Sequence, residues 1–167
     1  EKIYGDLNIS GNQIESLEGC TQEVMGSFNC SNNNLKSLVG GPTMVRDMYF
    51  CNSNKSLESL EGCPEKIGNR FEANDCSLTT LKGSPKEVGG DFYCNDNNLT
   101  TMKGAPERID GYSIYCRENR LYSLEGLPLD FRGRVECSKN LFPEEVLRSV
   151  YANAKKRNRE HKKRISR

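Results

Sequence analysis

The residues of this chain most able to do chemistry are eight cysteines, a single histidine and a run of lysines and arginines at the C-terminal end. Their spacing argues against catalysis. His161 lies inside the basic run, so no Ser-His-Asp or Cys-His arrangement can be assembled from the rest of the chain. A zinc site needs Cys or His pairs at close spacing. Here the cysteines stand about one repeat apart and no C-x-x-C occurs. Gly89-Gly90 and the other glycine pairs lack the phosphate-loop pattern. The expectation is a protein with no catalytic residues, no metal and no cofactor.

What orders the cysteines is a repeat. The stretch from Leu78 to Leu99 has the skeleton Leu-x-x-Leu-x-Gly-x-Pro-x-x-Val-x-Gly-x-Phe-x-Cys-x-x-Asn-x-Leu, and it recurs along the sequence. The apolar residues that open each unit read Ile14, Leu35, Leu57, Leu78, Leu99, Leu121 and Leu141, at gaps of 21, 22, 21, 21, 22 and 20 residues. A fixed period near 21 predicts a solenoid. Cys30, Cys51, Cys94, Cys116 and Cys137 then share one slot, and Cys20 and Cys63 share another. Residues in one slot stack at about 4.8 Å, but a bridge needs a dihedral near ±90° that a regular array seldom offers. A small apolar residue repeated in register reads as core. The cysteines are therefore expected reduced, in a cytoplasmic protein.

The segments Tyr4-Gly-Asp-Leu7-Asn-Ile9-Ser-Gly-Asn12-Gln-Ile14 and Met25-Gly-Ser-Phe28-Asn-Cys30-Ser-Asn-Asn33-Asn-Leu35 match the pattern L-x-x-L-x-L-x-x-N-x-L. On these residues the chain resembles leucine-rich repeat proteins of the short bacterial and bacteriophage type. The Leu-x-x-Leu-x-Gly-x-Pro connector is similar to theirs. The resemblance covers roughly residues 3–141. It implies a β-dominated repeat solenoid with a single parallel sheet on the concave side, an irregular, polyproline-like convex side and a binding role on variable positions. In a phage setting it implies a modulator of a host protein, acting in the host cytoplasm.

The elements that must position any site follow from the pattern. In Gly90-Asp91-Phe92-Tyr93-Cys94 side chains alternate, so Phe92 and Cys94 face the core while Asp91 and Tyr93 face out. The sharp turn after each strand leaves backbone groups inside, and a buried Asn can satisfy them. That Asn is Asn12, Asn33, Asn54, Asn97, Asn119 and Asn140; in one unit the slot holds Cys76, and the core cysteine becomes Ala73, which marks that turn as the weakest. The Gly-x-Pro steps at Pro64, Pro85, Pro106 and Pro128 predict extended chain. An extra residue near Asn52–Leu57, another near Asp110–Ile114 and a missing one near Ser138–Leu141 predict small loops or bulges. Asn-x-Ser/Thr triplets at Asn8, Asn29, Asn54 and Asn98 read as by-products of an Asn-rich repeat.

The chain divides into a solenoid over residues 1–141, an opening half-unit plus six repeats, and a C-terminal helix with a basic tail over 142–167. Pro143 with Glu144 and Glu145 reads as a helix start. Val146, Leu147, Val150, Tyr151 and Ala154 share one helical face, as a cap over the last turn requires.

Recognition is the chemistry the sequence supports. The outward middle positions of successive strands read Asn8, Asn29, Phe50, Glu72, Tyr93, Tyr115 and Glu136. Phe50, Tyr93 and Tyr115, flanked by Met48, Arg70, Asp91, Arg117, Glu118 and Arg134, have the composition of an interface hot spot. The competing reading is that aromatic pairs merely stabilise the sheet. The tail offers a second surface. The net charge of +1 divides into a body of −6 and a tail of +7 over residues 155–167, where eight cations stand against Glu160. Lys155, Lys156, Arg157, Arg159, Lys162, Lys163 and Arg164 could bind nucleic acid in a salt-sensitive, sequence-blind way. A membrane is not expected as partner: no run of about 18 apolar residues exists, and the tail lacks apolar anchors.

Overall fold

A computed structural model of the chain describes residues 1–129, 131, 133–146 and 148. They wind as a parallel β-solenoid of about six turns. Each turn lays down two short strands. The first kind comprises β1 (Lys2–Ile3), β3 (Glu23–Val24), β5 (Met44–Val45), β7 (Lys66–Ile67), β9 (Glu87–Val88) and β11 (Arg108–Ile109). The second kind follows a three-residue corner: β2 (Leu7–Asn8), β4 (Phe28–Asn29), β6 (Tyr49–Phe50), β8 (Phe71–Glu72), β10 (Phe92–Tyr93) and β12 (Ser113–Tyr115). A last strand, β13 (Arg134–Glu136), closes that series.

The single sheet expected from the repeat is one of two. The first kind of strand forms a six-stranded sheet and the second a seven-stranded one, in turn order. The chain after each connector proline is extended, as expected, but it is not unpaired polyproline. Equal turn lengths stack the extended segments in register, and their N–H and C=O groups then meet: Met25 N donates to Ile3 O at 2.9 Å and Gly89 N to Ile67 O at 3.0 Å. Backbone polar groups that come within reach of each other pair.

Inside the long sheet runs a stack of buried rings. Phe28, Tyr49, Phe71 and Phe92 follow one another at centroid distances of 5.1, 5.7 and 5.4 Å. Leu7 and Ile114 continue the row at its two ends, in the same register. Each ring pair adds about 0.5–1.5 kcal/mol beyond its area burial. Cys30, Cys51, Ala73, Cys94, Cys116 and Cys137 form the next buried row, and all eight cysteines are free thiols.

The asparagine row closes the turns. The Nδ2 group of Asn97 donates to Ala73 O at 2.8 Å and Cys94 O at 3.2 Å, while its Oδ1 accepts from Leu78 N at 3.1 Å. One side chain thus ties two turns. Asn33, Asn54, Asn119 and Asn140 repeat the arrangement. Cys76 cannot accept in this way, and its thiol reaches Cys51 O at 3.3 Å and Asn74 O at 3.5 Å. The extra residue before Leu57 makes good the loss. It folds the chain so that Leu57 N donates to Asn54 O of its own turn, at 3.0 Å. The two departures from the repeat compensate each other.

Two other register readings resolve here. The extra residue after Ile109 forms a corner in which Asp91 Oδ1 accepts from both Tyr112 N and Ser113 N, at 2.7 and 2.8 Å. Leu141, read as the opening residue of a unit, is exposed, and Phe142 is buried in its place. No residue is missing there. Leu141 N pairs with Leu121 O as Asn98 N pairs with Leu78 O, so Leu141 holds the polar slot before the apolar one.

Glycine is obligatory at the connector turn. Gly62 has φ +94°, and a Cβ there would lie 2.1 Å from Val39 N. At the C-terminal end Glu144–Val146 and Arg148 are helical, and Val146 packs on the core as a cap should. The other expected cap residues, Leu147, Val150, Tyr151 and Ala154, and the whole basic tail lie outside the described residues.

Replacing Asn97 by Ala would leave the Leu78 N–H and the Ala73 carbonyl buried without their partner, while Cys94 O keeps the bond from Asn119 Nδ2. We expect a loss of about 2–4 kcal/mol in chemical denaturation, against under about 0.5 kcal/mol for Ala at the exposed Asn34. Tyr49 is the converse case. Among the described residues its buried hydroxyl has no hydrogen-bond partner, so Tyr49→Phe should leave stability unchanged or raise it by about 1 kcal/mol.

Candidate functional site

The two sheets present different outer faces. On the six-stranded sheet the outward residues are Lys2, Glu23, Met44, Lys66, Glu87 and Arg108. They pair across strands, Lys2 with Glu23 at 3.0 Å and Lys66 with Glu87 at 2.7 Å. That face is a solvated charge ladder.

The seven-stranded sheet carries the expected outward row in register: Asn8, Asn29, Phe50, Glu72, Tyr93, Tyr115 and Glu136 are successive Cα partners. Asn8 and Asn29 turn back on their own chain, accepting from Ser10 N and Ser31 N at 3.0 Å each. Phe50 is half-buried. Tyr93 and Tyr115 lie ring on ring, 4.2 Å between centroids and 9° from parallel. Arg70 stands 5.2 Å from the Tyr93 centroid and Arg117 stands 5.8 Å from that of Tyr115. The four side chains form one stack, cation, ring, ring, cation.

Beside the stack lie two recessed carboxylates. Glu72 and Glu136 have side chains only 18% and 14% exposed. Glu72 accepts from Arg70 Nη1 at 3.3 Å and from Asn52 Nδ2 at 2.9 Å. Glu136 accepts from Arg117 Nη2 at 2.8 Å and pairs also with Arg134. The acids fix the arginines in place over the rings.

Other residues expected in the site have other work. Asp91 holds the corner N–H groups of Tyr112 and Ser113. Glu118 sits past the strand at φ +52° and pairs with Lys139 at 2.6 Å. Met48 is half-buried at the strand entry. The cationic residues of the tail, from Lys155 to Arg164, are outside the described residues.

A row that sequence reasoning passed over supports the stack. Asn52 Oδ1 accepts from Asn74 N, Asn74 Oδ1 from Asn95 N, and Asn95 Oδ1 from Arg117 N, at 2.8, 2.9 and 2.9 Å. This ladder carries the backbone of Arg117 to its place. Its signal was present: Asn follows the core slot in three successive turns, at Asn52, Asn74 and Asn95.

Among the described residues no three His, Cys, Asp or Glu side chains converge to hold a metal ion. Burial pushes up the thiols of Cys30, Cys51, Cys94 and Cys116, which makes them poor nucleophiles. Burial also pushes the Tyr93 phenol up to about 12, with Arg70 acting the other way and Tyr115 adding to the rise. No helix among the described residues is long and apolar enough to cross a membrane.

Fold and surface together define a parallel β-solenoid with one plain and one elaborated sheet face. Compared with known proteins, the chain matches no protein-family model, no curated protein and no solved structure.

The raised groups fix a pH dependence. A group whose pKa is higher folded than unfolded stabilises the fold below its unfolded value and stops doing so as pH climbs through its folded one. Unfolded thiols ionise near about 8.5 and phenols near about 10. Stability should therefore stay level from about pH 6 to 8 and fall steadily above about 9, as read by urea denaturation at fixed ionic strength. Phenolate absorbance from Tyr93 should appear near pH 12. A plateau of stability reaching pH 11 would contradict the burial of these groups.

Proposed function

We propose that this is a non-catalytic repeat protein, of the leucine-rich type its motif resembles, that binds a partner protein on the outer face of the seven-stranded sheet. Phe50, Tyr93 and Tyr115 form the centre, with Arg70 and Arg117 on either side. The observation that carries the reading is the meeting of two aromatic stacks on one strand, β10. Phe92 faces in and completes the core, while Tyr93 faces out and has no core to complete. Ordered aromatics beside arginines, held by recessed acids, have the preorganisation of a hot spot.

The stack favours a protein over a nucleic acid at this face. The inner ring faces cover each other and the guanidiniums stand over the outer ones. A base would have to displace an arginine to stack on either tyrosine. The repeat type implies a bacterial or phage source, and so a bacterial or host partner met in the cytoplasm, where free thiols persist.

The test is a pull-down from bacterial lysate, with and without nuclease, comparing the intact chain with the Tyr93→Ala/Tyr115→Ala variant. We expect a nuclease-resistant protein that the variant loses by about tenfold or more. A catch that vanishes with nuclease and ignores the variant would transfer the function to the basic tail.

A further inference from the structure

On the elaborated face the carboxylates of Glu72 and Glu136 are fully engaged, while the guanidiniums keep donors to spare. Both carboxylate oxygens of Glu72 already receive a donor, from Arg70 and Asn52, and both of Glu136 do, from Arg117 and Arg134. The flanking Asp91 is held by two backbone N–H groups. A guanidinium has five N–H donors. Arg70 directs Nη1 to Glu72 and Arg117 directs Nη2 to Glu136, and both side chains stay nearly half exposed. The tyrosine hydroxyls at the centre can donate as well as accept.

We infer that the occupant of this face is an acidic segment of the partner protein, whose Asp or Glu carboxylates are taken by Arg70 and Arg117 on either side of the tyrosine pair. This rests on the interaction reading above and specifies its chemistry. A basic segment would find each acid recessed and already paired, and would stand against three guanidiniums. An apolar segment would bury those guanidiniums without an acceptor, which is costly. Carboxylates meet the forks in the geometry they bind best. The far rim sets the direction of approach. There Asp75 and Glu118 pair with Lys55 and Lys139, and Asp96 between them adds negative charge. The acids of the partner are steered off that rim and onto the arginines.

The experiment is selection of a random dodecapeptide display library on the immobilised full chain, followed by binding of the recovered peptides in solution. Asp and Glu should be enriched, and binding should weaken as salt is raised. Arg70→Gln/Arg117→Gln should weaken binding by about tenfold or more, with melting unchanged. Glu136→Gln gives the opposite sign. It releases Arg117 and Arg134 from their acid, so acidic peptides should bind several-fold tighter. A role that is merely structural would not produce a gain. Enrichment of Lys and Arg, enrichment without charge preference, or no enrichment at all would each overturn the inference. If the tyrosine-dependent pull-down still succeeds in those cases, only the acidic partner is lost; if both fail, the face itself is not the binding site.

Discussion

Where the chain leaves each strand of the long sheet, it turns so sharply that two carbonyls and an N–H are left inside the molecule. In five of these turns one asparagine (Asn33, Asn54, Asn97, Asn119 or Asn140) meets all three, donating through Nδ2 and accepting through Oδ1. One carbonyl and the N–H belong to the preceding turn, so the same amide that relieves a local burden also fixes the distance and register between turns. No other side chain this short offers two donors and a separate acceptor without carrying charge into the core. The period of the fold, and with it both sheets, follows from repeating this contact.

Register has consequences on both sides of the strand. Inward, it brings Phe28, Tyr49, Phe71 and Phe92 into ring contact and lines the thiols up beside them. Outward, the same spacing brings Tyr93 against Tyr115. The inner stack is sealed by the rest of the turn. The outer one is kept in order by charge, since Glu72 and Glu136 are recessed enough to hold Arg70 and Arg117 where the rings can receive them. A surface built this way loses little entropy on meeting a partner.

Most of this was legible in the chain. The alternation around Phe92 and Tyr93 placed the outward row correctly at every strand, because strand side chains have a period of two and the repeat repeats it without error. What misled was counting. Leu141 has the right residue type for a unit opening, but the hydrogen bond from its N–H to Leu121 O puts it one place early, and Phe142 is buried instead. Cys76 looked like a weak turn, and only the path of the chain at Leu57 shows how the missing acceptor is replaced. Asp91 faces out as expected, yet its carboxylate belongs to the next corner.

The sequence by itself determined the period, the inner and outer faces and the row of asparagines, since each depends on residues close together along the chain. The tertiary structure alone decided the second sheet, the pairing of acids with arginines and the ring-on-ring contact of the tyrosines. Apart from Arg70 with Glu72 and Arg134 with Glu136, which share a strand, these join residues about one turn apart, whose separation in space depends on how the turns stack. Backbone groups with no mark in the side-chain pattern form the second ladder. A long arginine side chain can reach several acids, and only the positions of neighbouring strands select which one it meets.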